Sequence, residues 1–125
     1  MNYFLVFLGG GLGAAARHGV NVAALRLIGP AFPFGTLSIN VAGSFVMGLL
    51  VEYFALRGNV PQPVRLFMTT GIVGGFTTFS TFSLEAVLLY QRGQLGAAFA
   101  YVASSVVLGV GALLGGMALV RVLSP

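Results

Sequence analysis

The side chains with most chemistry to offer crowd into one stretch, GGFTTFSTFSLE, from Gly74 to Glu85. Its twelve positions hold two glycines, three phenylalanines, five hydroxyl residues and a carboxylate. Hydroxyls donate hydrogen bonds without bringing negative charge. An aromatic ring is negative on its face and positive at its edge, so a ring presented edge-on attracts a small anion. Phe79 and Phe82 are three apart and share a helix face, although phenylalanines at that spacing ordinarily meet lipid or core. Two further polar groups stand in apolar surroundings: Ser38, Asn40 and Ser44, then Tyr101, Ser104 and Ser105. Tyr101 and Ser105 are one helical turn apart on one face. A lone Ser or Thr usually bonds back to its own helix carbonyl, but the Asn40 carboxamide needs partners for two donors and an acceptor.

Nearly all of these groups donate without carrying negative charge, which suits an anion. A cation path would show rings or chains of Asp and Glu, and only Glu85 could serve in one. Catalysis needs titratable or nucleophilic groups within reach of one another. One His, two Glu and no Asp, Lys or Cys supply no such set: His18 has no orienting partner, so the chain reads as no enzyme. The absence of cysteine also removes disulfides and thiolate metal clusters.

The elements that carry these groups must lie in a membrane. The chain has 125 residues, of which 58% are hydrophobic and 6% charged, far from the roughly 25% charged content of soluble domains. Four apolar segments approach the ~20 residues that cross a ~30 Å hydrocarbon layer. We place the spans at about 2–28, 35–56, 64–90 and 95–122, as one domain over 1–125. GPAFPFG, GNVPQP and QRGQ separate them as turn clusters. MNYFLVFLGG lacks a charged leader region and reads as a retained first span. Only fourteen residues, Tyr3 to Ala16, precede Arg17, and at about 1.5 Å per residue they cover ~21 Å. Arg17 and His18 therefore lie inside the first span or at a wet indentation, facing protein or water.

In the third span, GGFTT sets two glycines and two β-branched threonines at mid-membrane, the combination expected to interrupt a helix. An interruption at that depth persists only where the freed backbone groups are buried in protein or bind something. It creates free carbonyls on one side and free N–H groups on the other, where Thr77 or Thr78 can cap. Broken transporter helices hold cations with the former and anions with the latter. Small residues at Gly9 and Gly13, Ser44 and Gly48, and Gly111 and Gly115 read as close helix packing. GLGAAA imitates a dinucleotide fingerprint but lacks the preceding strand and the downstream acid.

The six arginines, at 17, 26, 57, 65, 92 and 121, are scattered singly and form no nucleic-acid patch. Arg57, Arg65 and Arg121 fall on one side of a four-span chain, Arg26 and Arg92 on the other. A bias this small permits insertion in both directions, and hence an antiparallel dimer; alternatively, it suffices for one orientation.

GGFTTFSTFSLE, with GTLSINVAGSFVMG at Gly35 to Gly48 and GAAARHG at Gly13 to Gly19, closely resembles the Fluc (CrcB) fluoride channels of bacteria, across essentially the whole chain. The resemblance implies an all-α, four-span protein of the bacterial plasma (inner) membrane, surrounded by lipid. It implies an antiparallel dual-topology homodimer with two fluoride pores flanking a structural sodium ion. On that likeness, the backbone carbonyls of Gly74 and Thr77 hold the Na+, and Asn40 donates to fluoride. Phe79 and Phe82 line the pores, Ser80, Thr81 and Glu85 form a polar track, and Tyr101 and Ser105 lie along the path. Arg17 resembles an arginine near the aqueous vestibule, and Phe76 stands where many relatives have Leu. The alternative is a small proton-coupled multidrug exporter of the four-span type, but such exporters carry a buried Glu in their first span, where this chain has Arg17. A non-transporting assembly subunit leaves Asn40 and Phe79 unexplained.

Overall fold

The computed structural model describes residues 1–124; the domain expected over 1–125 ends at Pro125, outside the described residues. These residues form helices α1 (Asn2–Leu27), α2 (Phe34–Arg57), α3 (Gln62–Leu66), a π-helical stretch (Phe67–Val73), α4 (Gly74–Phe76), α5 (Ser80–Gln91) and α6 (Leu95–Leu123). No strand occurs among the described residues. Each connection follows a helix stop that the sequence supplies. Gly58 and Gly93 adopt φ of 73° and 78°, a left-handed conformation that costs glycine little. Pro61 opens α3 and Pro63 sits in its first turn, where a missing N–H is harmless.

Three helical runs are long and apolar enough to cross a membrane: Phe34–Arg57, Gln62–Gln91 and Leu95–Leu123. The chain is thus an all-α, multi-pass membrane protein. At 26 residues α1 also has the length, and Arg17 and His18 at its middle are what lower its hydropathy. The turns fall at 28–33, 58–61 and 92–94.

From Gln62 to Phe76 the chain stays helical, and Thr77, Thr78 and Phe79 lie outside a helix, Phe79 as the N-cap of α5 with φ −94° and ψ −35°. Thr77 is extended, with φ −84° and ψ 160°. The two glycines do not themselves deform the helix: Gly74 has φ −61° and ψ −38°. Gly75 serves contact instead, because a Cβ there would come within 2.8 Å of the Gly10 Cα.

Glycine contacts set the packing. Gly9 and Gly13 of α1 lie against the backbone of Phe67, Gly71 and Ile72. Gly48 of α2 and Gly116 of α6 interlock across the most extensive helix pair in the chain. Gly111 and Gly115 meet nothing within 4 Å in the single chain, so the close approach on α6 runs through Gly116 rather than through that pair. The Glu52 carboxylate, buried on α2, accepts from Arg121 Nε on α6 at 3.1 and 3.2 Å. Among the described residues only Ile39, Val73, Leu89 and Tyr101 are buried large apolar side chains, while most others are exposed. A surface so apolar requires lipid or a partner against it.

Candidate functional site

The site is built around the non-helical residues Thr77 to Phe79. Asn40 reaches across from α2 and engages Thr78 twice: Nδ2 donates to the Thr78 carbonyl and Oδ1 accepts from the Thr78 N–H, each at 2.9 Å. Only a residue outside a helix offers both its N–H and its C=O sideways, so the carboxamide and the interruption require each other. A carboxamide has two N–H groups, and this pairing leaves one of them available. Asn40 lines a cleft of about 430 Å³ together with Ser44, Met47, Thr77, Thr78 and Phe79.

The loose ends of the interruption are otherwise largely satisfied. On the N-terminal side, the Val73 carbonyl accepts from both the N–H and the hydroxyl of Thr77, at 3.0 and 3.1 Å. On the C-terminal side, Thr78 Oγ1 accepts from the Thr81 N–H at 3.2 Å, which caps α5. Arg17 Nε donates to the Gly75 carbonyl at 3.2 Å, so this arginine of α1 reaches the helical turn just before the interruption. The extended Thr77 turns its own carbonyl out of the ladder, and no hydrogen bond among the described residues ends on it. Gly74 stands one turn earlier. These are neutral oxygens of the kind that suit a hard cation. No group of three His, Cys, Asp or Glu is positioned for a metal among the described residues.

A line of aromatic rings leads away from this point. Phe79 and Phe82 have centroids 5.6 Å apart, Phe82 and Tyr101 5.1 Å, both tilted at 49°. Phe32 meets Tyr101 edge to face at 5.6 Å and 86°. Phe79 is 77% exposed in the single chain, whereas Tyr101 is wholly buried. The Tyr101 hydroxyl donates to Glu85 Oε1 at 3.0 Å, joining α6 to α5. Ser80 sits beside Thr78, their hydroxyls 3.4 Å apart. The Ser105 hydroxyl, one turn beyond Tyr101, is buried without a hydrogen-bond partner, as is that of Thr36.

Of the residues singled out by sequence, Asn40, Phe79, Ser80 and Thr81 thus gather at the interruption, while Phe82, Glu85 and Tyr101 are linked by direct contacts. Ser38 and Ser104 instead donate to their own helix, to the carbonyls of Gly35 and Ala100 at 2.9 and 2.6 Å. Sequence reasoning named Thr78 as a possible cap, which it is, but not as the partner of Asn40, and it passed over Thr36 and Phe32. As Asn40's partner, Thr78 was identifiable as a non-helical backbone able to satisfy a half-buried carboxamide. Thr36 lies four residues before Asn40 and shares its face. Phe32, in a turn, carried no periodic signal.

A sequence model described as CrcB-like protein, Camphor Resistance (CrcB), matches residues 4–117. The chain is 59% identical over 121 residues to a protein of Nitrobacter hamburgensis named fluoride-specific ion channel FluC 2, covering 97% of this chain and 98% of that one. It is 56% identical over 124 residues to fluoride-specific ion channel FluC of Rhodopseudomonas palustris, covering 99% and 100%. A protein of the same name from Methylobacterium nodulans is 58% identical over 121 residues, covering 97% of each chain.

Proposed function

The chain belongs to the CrcB family, and we propose that it is a fluoride-selective channel through which the ion leaves the cytoplasm passively. In this reading one four-span domain inserts in both orientations in the bacterial inner membrane. Two copies pair antiparallel and form two pores around a structural sodium ion. The observation that carries the reading is the Asn40 carboxamide, held on both sides by Thr78 with one N–H left over, in a cleft that the exposed Phe79 also lines. The names of the relatives support fluoride as the ion.

Fluoride is small and strongly hydrated, so a path must replace its water with closely spaced donors and offer it no negative charge. The Asn40 N–H begins this at the interruption. Phe79 and Phe82 present ring edges, whose positive hydrogens attract the anion without gripping it. Tyr101, Ser105, Ser80 and Thr81 continue a hydroxyl path. Glu85 is held by the Tyr101 hydroxyl rather than left as a bare charge facing the ion. Arg17 lends positive potential near the interruption.

The apolar exterior and the exposure of Phe79 support a second copy on that face. The Thr77 carbonyl, free of hydrogen bonds, and that of Gly74 fit a small hard cation, and both subunits would contribute them. Sodium would supply the positive charge that binds these oxygens together across the dimer.

Liposomes loaded with fluoride and bearing the purified chain test the proposal. They will release fluoride to an electrode once an ionophore shunts potassium, and no release overturns it.

A further inference from the structure

We propose that His18 sets the charge of the mouth through which the anion reaches Glu85 and Tyr101, making entry faster in acid. The proposal rests on the channel reading above. A cleft of about 420 Å³ lies between α1, the 28–33 turn, the start of α2 and the end of α5. His18 and Asn21 line it from α1, Thr36 from α2, and Glu85 and Arg92 from α5 and its C-terminal turn. At its inner end Glu85 holds the Tyr101 hydroxyl, and that ring adjoins Phe82. The cleft therefore joins the surface to the row of rings.

Its charges are few enough to follow one by one. Glu85 is the acid, Arg92 the fixed cation and His18 the group able to change. α2 contributes no titratable side chain to the lining, and α6 reaches the cleft only through Tyr101 behind Glu85. Arg17, adjacent in sequence, is turned toward the Gly75 carbonyl. Histidine is the side chain that ordinarily gains its proton within the physiological range. When His18 is neutral, Glu85 and Arg92 cancel; when it is protonated, the mouth carries one net positive charge. A charge lining a cleft with low-dielectric walls raises the local concentration of the opposite ion. His18 is itself exposed and makes no hydrogen bond among the described residues.

The test is initial fluoride efflux from proteoliposomes at fluoride well below saturation, at pH 8 and pH 5.5, with the leak of protein-free liposomes subtracted at each pH. The wild type is expected to run about two- to five-fold faster at pH 5.5. His18→Gln should hold the slow rate and His18→Arg the fast rate at both values. A wild-type pH response that survives in His18→Gln overturns the proposal. Equal rates for His18→Arg and the wild type at pH 8 overturn it as well, and need only that variant to fold. A wild type that carries no fluoride at either pH overturns the channel reading itself.

Discussion

Replacing Asn40 by alanine removes three interactions at once, and their separate costs can be stated. Two are the 2.9 Å bonds to the Thr78 carbonyl and N–H. A buried polar group left unpaired costs about 1–3 kcal/mol. Thr78 is half-buried, which puts the loss at the lower end, ~2 kcal/mol for the two together. The third is the remaining amide N–H toward the anion. A hydrogen bond to a charged partner contributes about 1.5–3 kcal/mol, equal to a ~10- to 100-fold loss of flux at about 1.4 kcal/mol per decade. Efflux from proteoliposomes reads the second quantity, and the thermal midpoint in detergent reads the first. Asn40→Asp separates them. It keeps an acceptor for the Thr78 N–H and should recover part of the stability, yet it places a carboxylate beside the path and should lower flux below that of Asn40→Ala. Flux of Asn40→Ala within about two-fold of wild type, with an unchanged midpoint, would refute this account of the site.

Phe82→Ile keeps bulk but removes the ring edge, and should slow fluoride efflux at least several-fold while size-exclusion chromatography shows the oligomer intact; undiminished flux removes the ring-edge role. The Glu52–Arg121 pair should respond asymmetrically. Arg121→Ala strands a buried carboxylate and should cost more stability than Glu52→Gln, by ~1 kcal/mol after allowing for the exposed arginine; equal midpoints would count against the pairing. Gly48→Ala sets a methyl against the Leu113 carbonyl and should cost about 1–3 kcal/mol, whereas Gly96→Ala meets open space and should be neutral or slightly stabilising; denaturation midpoints in the reverse order would contradict the α2–α6 packing.

The helices were legible because they are written in length and apolarity: the Gly/Pro clusters and four apolar segments leave little choice. GGFTT pointed to an interruption over Gly74 to Thr78, and the residues outside a helix are Thr77, Thr78 and Phe79. The glycines stay helical, Gly75 in close packing against α1, and the threonines carry the departure. Local propensity could not foresee that, because Gly75 answers to the Gly10 backbone far away in the chain. Asn40 stood out alone as an amide in hydrocarbon, but its partner is a backbone 38 positions away. Arg17 was expected inside the first span or at a wet indentation, facing protein or water, and its Nε is directed at the Gly75 carbonyl. Such pairings depend on which helices cross, and periodicity says nothing about that. The Glu85–Tyr101 bond is of the same kind: each residue was visible separately, and the contact belongs to the fold.

Selectivity tests the central claim most directly. Liposomes loaded with equal fluoride and chloride, bearing the purified chain and shunted for potassium, are followed with an electrode for each ion. A path of Asn40, ring edges and hydroxyls that fits a small dehydrated anion predicts rapid loss of fluoride with chloride retained. Loss of both at comparable rates, or of neither, would contradict it.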